Sequence, residues 1–322
     1  MKKKVKYIFN LGMLSGMILT SNFHAEELKN ISYPITKGMA SYSGAVLDKH
    51  GGIVLKYGEE KKENKELSDT IRDTLIKNAK ELRDSIERKI TDNLYMSIIE
   101  EEIDGNSVFV SHIVVNNPEQ MEKLVANGHY DNGRETVSSM AAKAGVIWAV
   151  NGSHFDLGNL STQDYNNNNI AIVHGEIVHN GGCSLGMEIC YTKDGRWFTA
   201  PKGASAEDLL NMGVIETYSS LQMPILENGN VSIATNYAEQ EELGKWKNRT
   251  IIGQTEDGDI FVLTGTTTTK SAAEYLKNKG CIWAKSMDMG GSVTLFANGH
   301  LVNEPTDDTG ERKVIDGIGI TS

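Results

Sequence analysis

Residues 286–294 read Ser286-Met287-Asp288-Met289-Gly290-Gly291-Ser292-Val293-Thr294 and follow the apolar run 281–284, and the fold prediction starts from them. A short apolar run of this kind predicts a buried strand, and a helix over 271–279 that stops at Gly280 precedes it. At the end of the strand, a carboxylate is followed by two residues without a Cβ. We therefore expect Asp288 to act as nucleophile, base or acceptor of a sugar hydroxyl beside accessible backbone amides.

The triplet Gly290-Gly291-Ser292 could turn its amides and the Ser292 hydroxyl toward a phosphate, as glycine-rich nests do. It is not a P-loop, because no Gly-Lys-Ser/Thr follows, and it is not a nucleophile elbow, because residue 294 is Thr. A plain tight turn remains the alternative for the triplet alone. For Asp288 the alternative is a turn residue that caps the strand end.

A second segment has the same helix-then-strand layout. A helix over 136–144 stops at Gly145, and the apolar run 146–150 then leads into Asn151-Gly152-Ser153-His154-Phe155-Asp156. Ligands in open α/β sheets collect at strand C-termini, so the two strand ends could form one pocket. We expect Asn151 and Gly152 to contact substrate and His154 or Asp156 to exchange a proton, with a structural role as the alternative for His154.

The pattern after residue 105 is one of short β-type runs between turn dipeptides and short helices. The dipeptides that predict hairpins are Asn132-Gly133, Asp194-Gly195, Asn228-Gly229, Asp257-Gly258 and Asn298-Gly299. The fold class predicted from this pattern is α+β, with a mixed β-sheet core and short helices packed on it.

The N-terminal part of the chain differs from the rest. Residues 1–25 have four lysines followed by an apolar stretch too short to span a membrane, which predicts a signal peptide and an extracytoplasmic protein without a stable membrane anchor. Residues 26–104 are predicted to form an extension with one long amphipathic helix from Ser68 to Leu94. The remaining residues, 105–322, are predicted to form the main domain.

Composition restricts the ligands. The formal net charge of -11 argues against nucleic acid as a partner, so an anionic substrate has to be held locally. Arg249 and Arg312 are the candidates, since arginine binds phosphate through two parallel hydrogen bonds, and an ordinary ion pair is the alternative for each. Cys183 and Cys190 could form a disulfide or be unpaired core residues. No obligatory cofactor is indicated, and the spacing of His174 and His179 fits no zinc signature.

Over about residues 107–320, the chain resembles the phosphodiester glycosidase family. The matching segments are Ala149-Val150-Asn151-Gly152 with Phe155, Arg249-Thr250-Ile251-Ile252-Gly253 before Asp257-Gly258, Asp288-Met289-Gly290-Gly291-Ser292, and Arg312 before the strand 315–320. The resemblance implies an exported hydrolase that cleaves a sugar-1-phosphodiester or related linkage in a carbohydrate or phosphoglycan.

Two departures from the family pattern bear on activity. Met289 stands where the family usually has a glycine, and Thr264-Gly265-Thr266 stands where members commonly carry Asp-Gly-Arg. These departures favour the alternative function, a non-catalytic glycan-binding or envelope-structural protein on the same fold. A metal-dependent phosphodiesterase would need a ligand cluster that the sequence does not show.

Overall fold

The fold is taken from a computed structural model of the chain. It describes residues 6–9, 17–20, 42–47, 53–57, 69–130, 133–155, 169–181, 188–220, 222–232 and 247–322. These residues divide into a smaller unit, made of residues up to Ile99 with His112–Asn116 and Ser322, and a larger unit, Glu100–Ser111 with Asn117–Thr321.

The smaller unit contains short strands and two short helices. Its elements are β1 (Lys6–Phe9), β2 (Met17–Thr20), β3 (Tyr42–Leu47), β4 (Ile53–Tyr57), α1 (Asp69–Lys77), α2 (Ala79–Asp84), β5 (Glu87–Ile90) and the first half of β6 (Leu94–Ile103). β1 pairs with β2, β3 with β4, and β5 with β6, all antiparallel.

The single long helix predicted from Ser68 to Leu94 is wrong. Helix α2 ends at Asp84, and Ser85 adopts an extended conformation with φ -68° and ψ 133°. The chain then forms strands, because residues 94–99 are rich in β-branched and aromatic side chains and are buried on both faces. Ile71, Leu75 and Leu82 pack with Ile90 and Tyr95 in one core cluster. The apolar spacing thus predicted buried residues correctly, but these residues belong to helices and strands and not to one helix.

The larger unit is built from strands with helices packed on them. Its elements are β7 (Asn106–Val115, first half), β8 (Met121–Val125), α3 (Val137–Ala144), β9 (Trp148–Asn151), β10 (Ile170–Val173), β11 (Glu176–Asn180), β12 (Ile189–Thr192), β13 (Trp197–Thr199), α4 (Ala206–Asn211), β14 (Val214–Tyr218), β15 (Leu226–Glu227), β16 (Asn230–Val231), β17 (Lys247–Thr255), β18 (Ile260–Thr267), α5 (Thr269–Asn278), β19 (Cys281–Met289), β20 (Leu295–Ala297), β21 (His300–Leu301) and β22 (Asp316–Ile320). Strands make up 46% of the structure and the helices are few and short, which fits an α+β or mainly-β class.

Two sheets of the larger unit supply the candidate site. One has the order β16-β15-β19-β17-β18-β7-β6, and the other has the order β21-β20-β9-β22-β8. The strand pairings within the second sheet are antiparallel. The prediction of a mixed sheet is therefore wrong for this sheet. β9 is its central strand and is buried throughout, which explains why its sequence is a continuous apolar run.

Helix ends and turns follow the sequence signals closely. Thr136 caps α3 by accepting a hydrogen bond from the Ser139 amide, and Gly145 ends the helix in the left-handed conformation. Ser205 and Asp208 form the capping box of α4. Four of the predicted hairpin dipeptides, all except Asn132-Gly133, connect described strands; Asn132 lies outside the described residues.

Candidate active site

Asn151 joins the two strand ends that the sequence singled out. Its side chain is fully buried at the end of β9, and Nδ2 donates to the Asp288 carbonyl at 3.0 Å. Oδ1 accepts from Thr250 Oγ1 at 2.6 Å and from the Thr294 amide at 3.2 Å. The side-chain amide of Asn151 on β9 thus connects three segments: β17, the end of β19, and the residues that follow the Gly290–Ser292 turn. The two strand ends meet, but Asn151 is enclosed in the core instead of open to a substrate as predicted.

Asp288 lies at this junction and is 7% exposed. Burial raises the pKa of its carboxyl, while a hydrogen bond from Ser292 and the charges of His154 and Arg312 act in the opposite direction. The Asp288 amide donates to the Gly152 carbonyl at 3.0 Å, which fixes its backbone as well. A carboxylate that is largely desolvated and has a guanidinium nearby is typical of a catalytic group.

The turn Gly290–Ser292 is a single 3₁₀ turn between β19 and β20. Gly290 has φ +70°, a conformation that favours glycine, and its carbonyl accepts from Asn248 Nδ2 and Thr306 Oγ1. Ser292 is fully buried and lies between two charged groups. Its hydroxyl donates a hydrogen bond to Asp288 and accepts one from Arg312 Nη1 at 3.4 Å. The turn therefore connects a carboxylate to a guanidinium through one hydroxyl.

Arg312 is the partly exposed cation of the site. Its side chain is 25% exposed, and Nε donates to Asp307 Oδ2 at 2.5 Å. The guanidinium lies against Gly291, where a Cβ would stand 2.4 Å from Nη2. Asp307 thereby fixes one edge of the guanidinium, while the Nη1 and Nη2 groups lie along the glycine turn. This arrangement suits the recognition of an anion by parallel donors.

Arg249, the other predicted arginine, is fully buried on β17. Its Nε donates to the Thr267 carbonyl at 3.2 Å, and Met289 Sδ lies 3.9 Å from Nη1. As placed, Arg249 has no surface that a substrate could touch. Gly265, from the segment that replaces the family's Asp-Gly-Arg, is paired with Arg249 across the sheet and has backbone of residues 107 and 108 at 3.0 Å from its Cβ position.

His154 follows Gly152 and Ser153, which are held by Asp316, a residue that was not predicted from the sequence. The His154 amide donates to the Ser219 carbonyl at 2.9 Å. Asp316, fully buried at the start of β22, accepts from the Ser153 amide and from Ser153 Oγ, both at 2.6 Å, and pairs with Lys123 Nζ at 2.9 Å. The signal that could have revealed Asp316 is an Asp-Gly inside the otherwise apolar stretch 314–320, in a strand rather than in a turn.

Several other predictions are not tested by these residues. Asp156 and Cys183 lie outside the described part of the chain, so a role for Asp156 and a disulfide to Cys190, which is buried in β12, stay predictions. Within the described ranges, no three His, Cys, Asp or Glu side chains are grouped so that they could hold a metal ion. In the same residues, no helix is long and apolar enough to cross a membrane.

Comparison with known proteins agrees with this geometry. A family model for phosphodiester glycosidases matches residues 144–321, which is more than half of the chain and includes every described site residue except Lys123. The chain belongs to the phosphodiester glycosidase family. The matched domain is therefore a glycosidase-type hydrolase, which implies a substrate of carbohydrate type.

Two solved structures are similar to the chain. One is the catalytic domain of zebrafish N-acetylglucosamine-1-phosphodiester alpha-N-acetylglucosaminidase, auto-inhibited by its pro-peptide, with 20% identity, a TM-score of 0.57, and coverage of 71% of this chain and 82% of that one. The other is a hypothetical protein from Synechocystis, with 13% identity, a TM-score of 0.49, and coverage of 73% and 63%. No curated protein matches the chain. At these identities, the first likeness shows a shared fold.

Proposed function

We propose that this phosphodiester glycosidase hydrolyses a sugar-1-phosphodiester, or a related glycosidic linkage, in a surface or extracellular glycan. The observation that supports this most strongly is the connection between Asp288 and Arg312 through Ser292. Its hydroxyl is hydrogen-bonded to Asp288 and lies 3.4 Å from Arg312 Nη1. A carboxylate for the anomeric carbon and a cation for the phosphate are thus connected through one side chain.

In the proposed reaction, Arg312 and the amides of the Gly290–Ser292 turn hold the phosphate. Asp288 attacks the anomeric carbon or stabilises the positive charge that develops there, while the bond from that carbon to the phosphate oxygen breaks. Water then adds to the anomeric carbon, which breaks the bond to Asp288 if that carboxylate has attacked, and His154 or Asp156 takes the proton of the water. Because phosphate is a good leaving group, a single well-placed carboxylate is chemically sufficient without strong acid catalysis.

The burial of Asp288 is useful in this scheme. A desolvated carboxylate is more basic and interacts more strongly with a developing positive charge than one in water does. The hydrogen bond from Ser292 and, to a smaller extent, the charge of Arg312 limit the rise in its pKa. Arg249, whose side chain is enclosed beside Met289, does not contact the substrate in this scheme.

The direct test is turnover of an N-acetylglucosamine-1-phosphodiester of a sugar by the purified full-length protein, with release of N-acetylglucosamine as readout. Asp288→Asn should lower turnover by at least about 1000-fold, because it removes the only ionised group proposed to meet the anomeric carbon. Asp257→Asn, an exposed aspartate in the β17–β18 hairpin, is the matched control. Full turnover by Asp288→Asn would rule out the catalytic assignment.

The alternative of a glycan-binding protein without turnover is favoured by one observation, the enclosure of Arg249 beside Met289. It predicts that the phosphodiester binds, that Asp288→Asn binds it as well, and that no sugar is released. Calorimetric titration with the same phosphodiester separates the two functions. The export expected from residues 1–25 is tested by N-terminal sequencing of the protein recovered outside the cells.

A further inference from the structure

A buried ion pair lies behind the segment that presents His154. Lys123 on β8 is 3% exposed and Asp316 on β22 is fully buried, and Nζ and Oδ2 are 2.9 Å apart. Lys123 Nζ also donates to the Thr217 carbonyl at 2.5 Å and lies 4.6 Å from the centre of the Tyr218 ring. Asp316 accepts from both the amide and the hydroxyl of Ser153. Both charges are therefore extensively satisfied by neutral partners as well as by each other.

These hydrogen bonds surround the segment 152–154 from both sides. The Gly152 amide donates to the Asp316 carbonyl at 3.1 Å, and the His154 amide donates to the Ser219 carbonyl. The Ser219 amide donates to Ser153 Oγ at 3.0 Å, so the same serine connects Asp316 to the strand end that holds His154. The three successive residues before Phe155 thus each have a backbone group fixed by this network.

The network extends to Asp288 as well. The carbonyl of Gly152 accepts from the Asp288 amide at 3.0 Å. Gly152 also leaves no space for a side chain, since a Cβ there would be 2.4 Å from Asp316 Oδ1. The Asp316 carboxylate is therefore packed directly against the peptide that holds Asp288. Asp316 is thus hydrogen-bonded to the backbone of Gly152, which is in turn hydrogen-bonded to Asp288 and leads to His154.

Stability alone does not account for a charged pair at this place. Desolvation of two charges commonly costs as much as their attraction returns, and an apolar pair of similar size is often equally stable or more so. What an apolar pair cannot supply is the directed acceptors that Ser153 needs. The geometry points to a specific role in holding segment 152–154 in one conformation.

We propose that Lys123 and Asp316 are a positioning pair for the hydrolytic site: they fix segment 152–154 so that His154 faces Asp288. This rests on the proposed function for the roles of His154 and Asp288. Neither residue of the pair contacts the substrate. Lys123 fixes Asp316, Asp316 fixes Gly152 and Ser153, and these fix the two reacting groups.

The test compares Lys123→Met, Asp316→Leu and the double variant, which has an apolar pair, with the wild type. Each single change leaves a buried charge without its partner and should lower Tm by about 10 °C. The double variant has no unpaired charge, so its Tm should return to near the wild-type value. If the pair positions the site, kcat of the double variant stays about 10- to 100-fold low, while KM stays within about 3-fold. Lys202→Met and Asp257→Asn, both exposed, are the controls.

A second readout does not depend on turnover. The ring resonance of His154, assigned by its loss in His154→Gln, should shift in the double variant. If kcat returns together with Tm and the resonance is unchanged, the pair is only structural and the proposal is overturned. If the wild type does not cleave the phosphodiester, the proposed function fails, and the His154 resonance alone then decides whether the pair holds this segment.

Discussion

The guanidinium of Arg312 occupies the space that a side chain at Gly291 would need. A Cβ at position 291 would lie 2.4 Å from Nη2 and 2.6 Å from Cζ, which is closer than non-bonded atoms approach. The requirement for glycine at this position is thus steric and comes from Arg312, because only the neighbouring Gly290 has a positive φ. The glycine turn and the arginine form one unit although they are about twenty residues apart in the chain.

This relationship predicts the effect of Gly291→Ala. The added methyl group should push Arg312 off the turn and break its contact with Ser292, so KM for the phosphodiester should rise by about 10-fold or more, as expected for loss of a charge-assisted contact. Folding should be nearly unaffected, because Arg312 is partly exposed and can move. Steady-state kinetics with a thermal melt measure both effects, and an unchanged KM would show that Arg312 does not hold the phosphate.

Removing the charge of Arg312 should shift the pH profile of activity. The charge of Arg312 favours the ionised form of Asp288, so Arg312→Met should raise the pKa of this carboxyl further. Asp288 acts when ionised, and activity is lost as pH falls through its pKa. The acidic limb of kcat/KM should therefore move to higher pH in the variant.

Arg196→Met is the matched control, since Arg196 also pairs through Nε with a nearby aspartate, Asp194, but is 67% exposed. Its acidic limb should coincide with that of the wild type. If Arg312→Met leaves the limb in place, the charge of Arg312 does not act on the group that limits activity.

Met289→Gly should expose Arg249. The thioether of Met289 lies 3.9 Å from Nη1 of an arginine that is otherwise enclosed, and a glycine at this strand end removes that contact. We expect kcat/KM for the phosphodiester to rise several-fold because a second cation becomes accessible, while Tm falls by a few degrees as glycine weakens the strand, by about 0.5–1 kcal/mol. Unchanged or lower kcat/KM would mean that Arg249 serves the fold alone.

The smaller unit should lose stability in acid through Glu81. Burial raises the pKa of this carboxyl, but hydrogen bonds from His112, Ser97 and Tyr95 outweigh burial and hold it below its usual range. A lowered pKa in the folded state gives stability that is present above the unfolded pKa and lost as pH falls through the folded one. Glu81→Gln should therefore destabilise at neutral pH, by about 2 kcal/mol, and flatten the acid dependence.

Urea unfolding at several pH values measures this effect. Asp73→Asn, a change to a carboxylate of α1 that is 72% exposed, is the control and should follow the wild type at each pH. A difference between Glu81→Gln and wild type that does not shrink in acid would contradict the proposed hydrogen-bonding role.

Local rules predicted the parts of the fold that depend on neighbouring residues. Thr136, Ser205 and the hairpin glycines act through contacts within a few positions, so their roles follow from the sequence. The helix expected over Ser68–Leu94 failed because burial of residues 94–99 on both faces, a tertiary effect, decided in favour of strands.

The candidate site shows the same division. Asp288 and Asn151 were identified because each follows an apolar strand, and the structure brings them into contact. Lys123 and Asp316 were missed because a single charged residue in a strand gives no pattern, and their pairing joins positions far apart in the chain. The burial of Arg249 could not be foreseen either, since it depends on which residue packs over β17.

The amide of Asn151 also bears on how this enzyme could be redesigned. Its three hydrogen bonds connect two sheets, so the backbone of the active centre is held from within, while Thr306 and Asp307 hold Gly290 and Arg312 from the loop. A library that varies the loop at positions other than Thr306 and Asp307 should therefore yield folded proteins. A library that varies Asn151, Thr250 or Thr294 should yield mainly variants that have lost activity, because each replacement leaves a buried polar group without its hydrogen-bond partner.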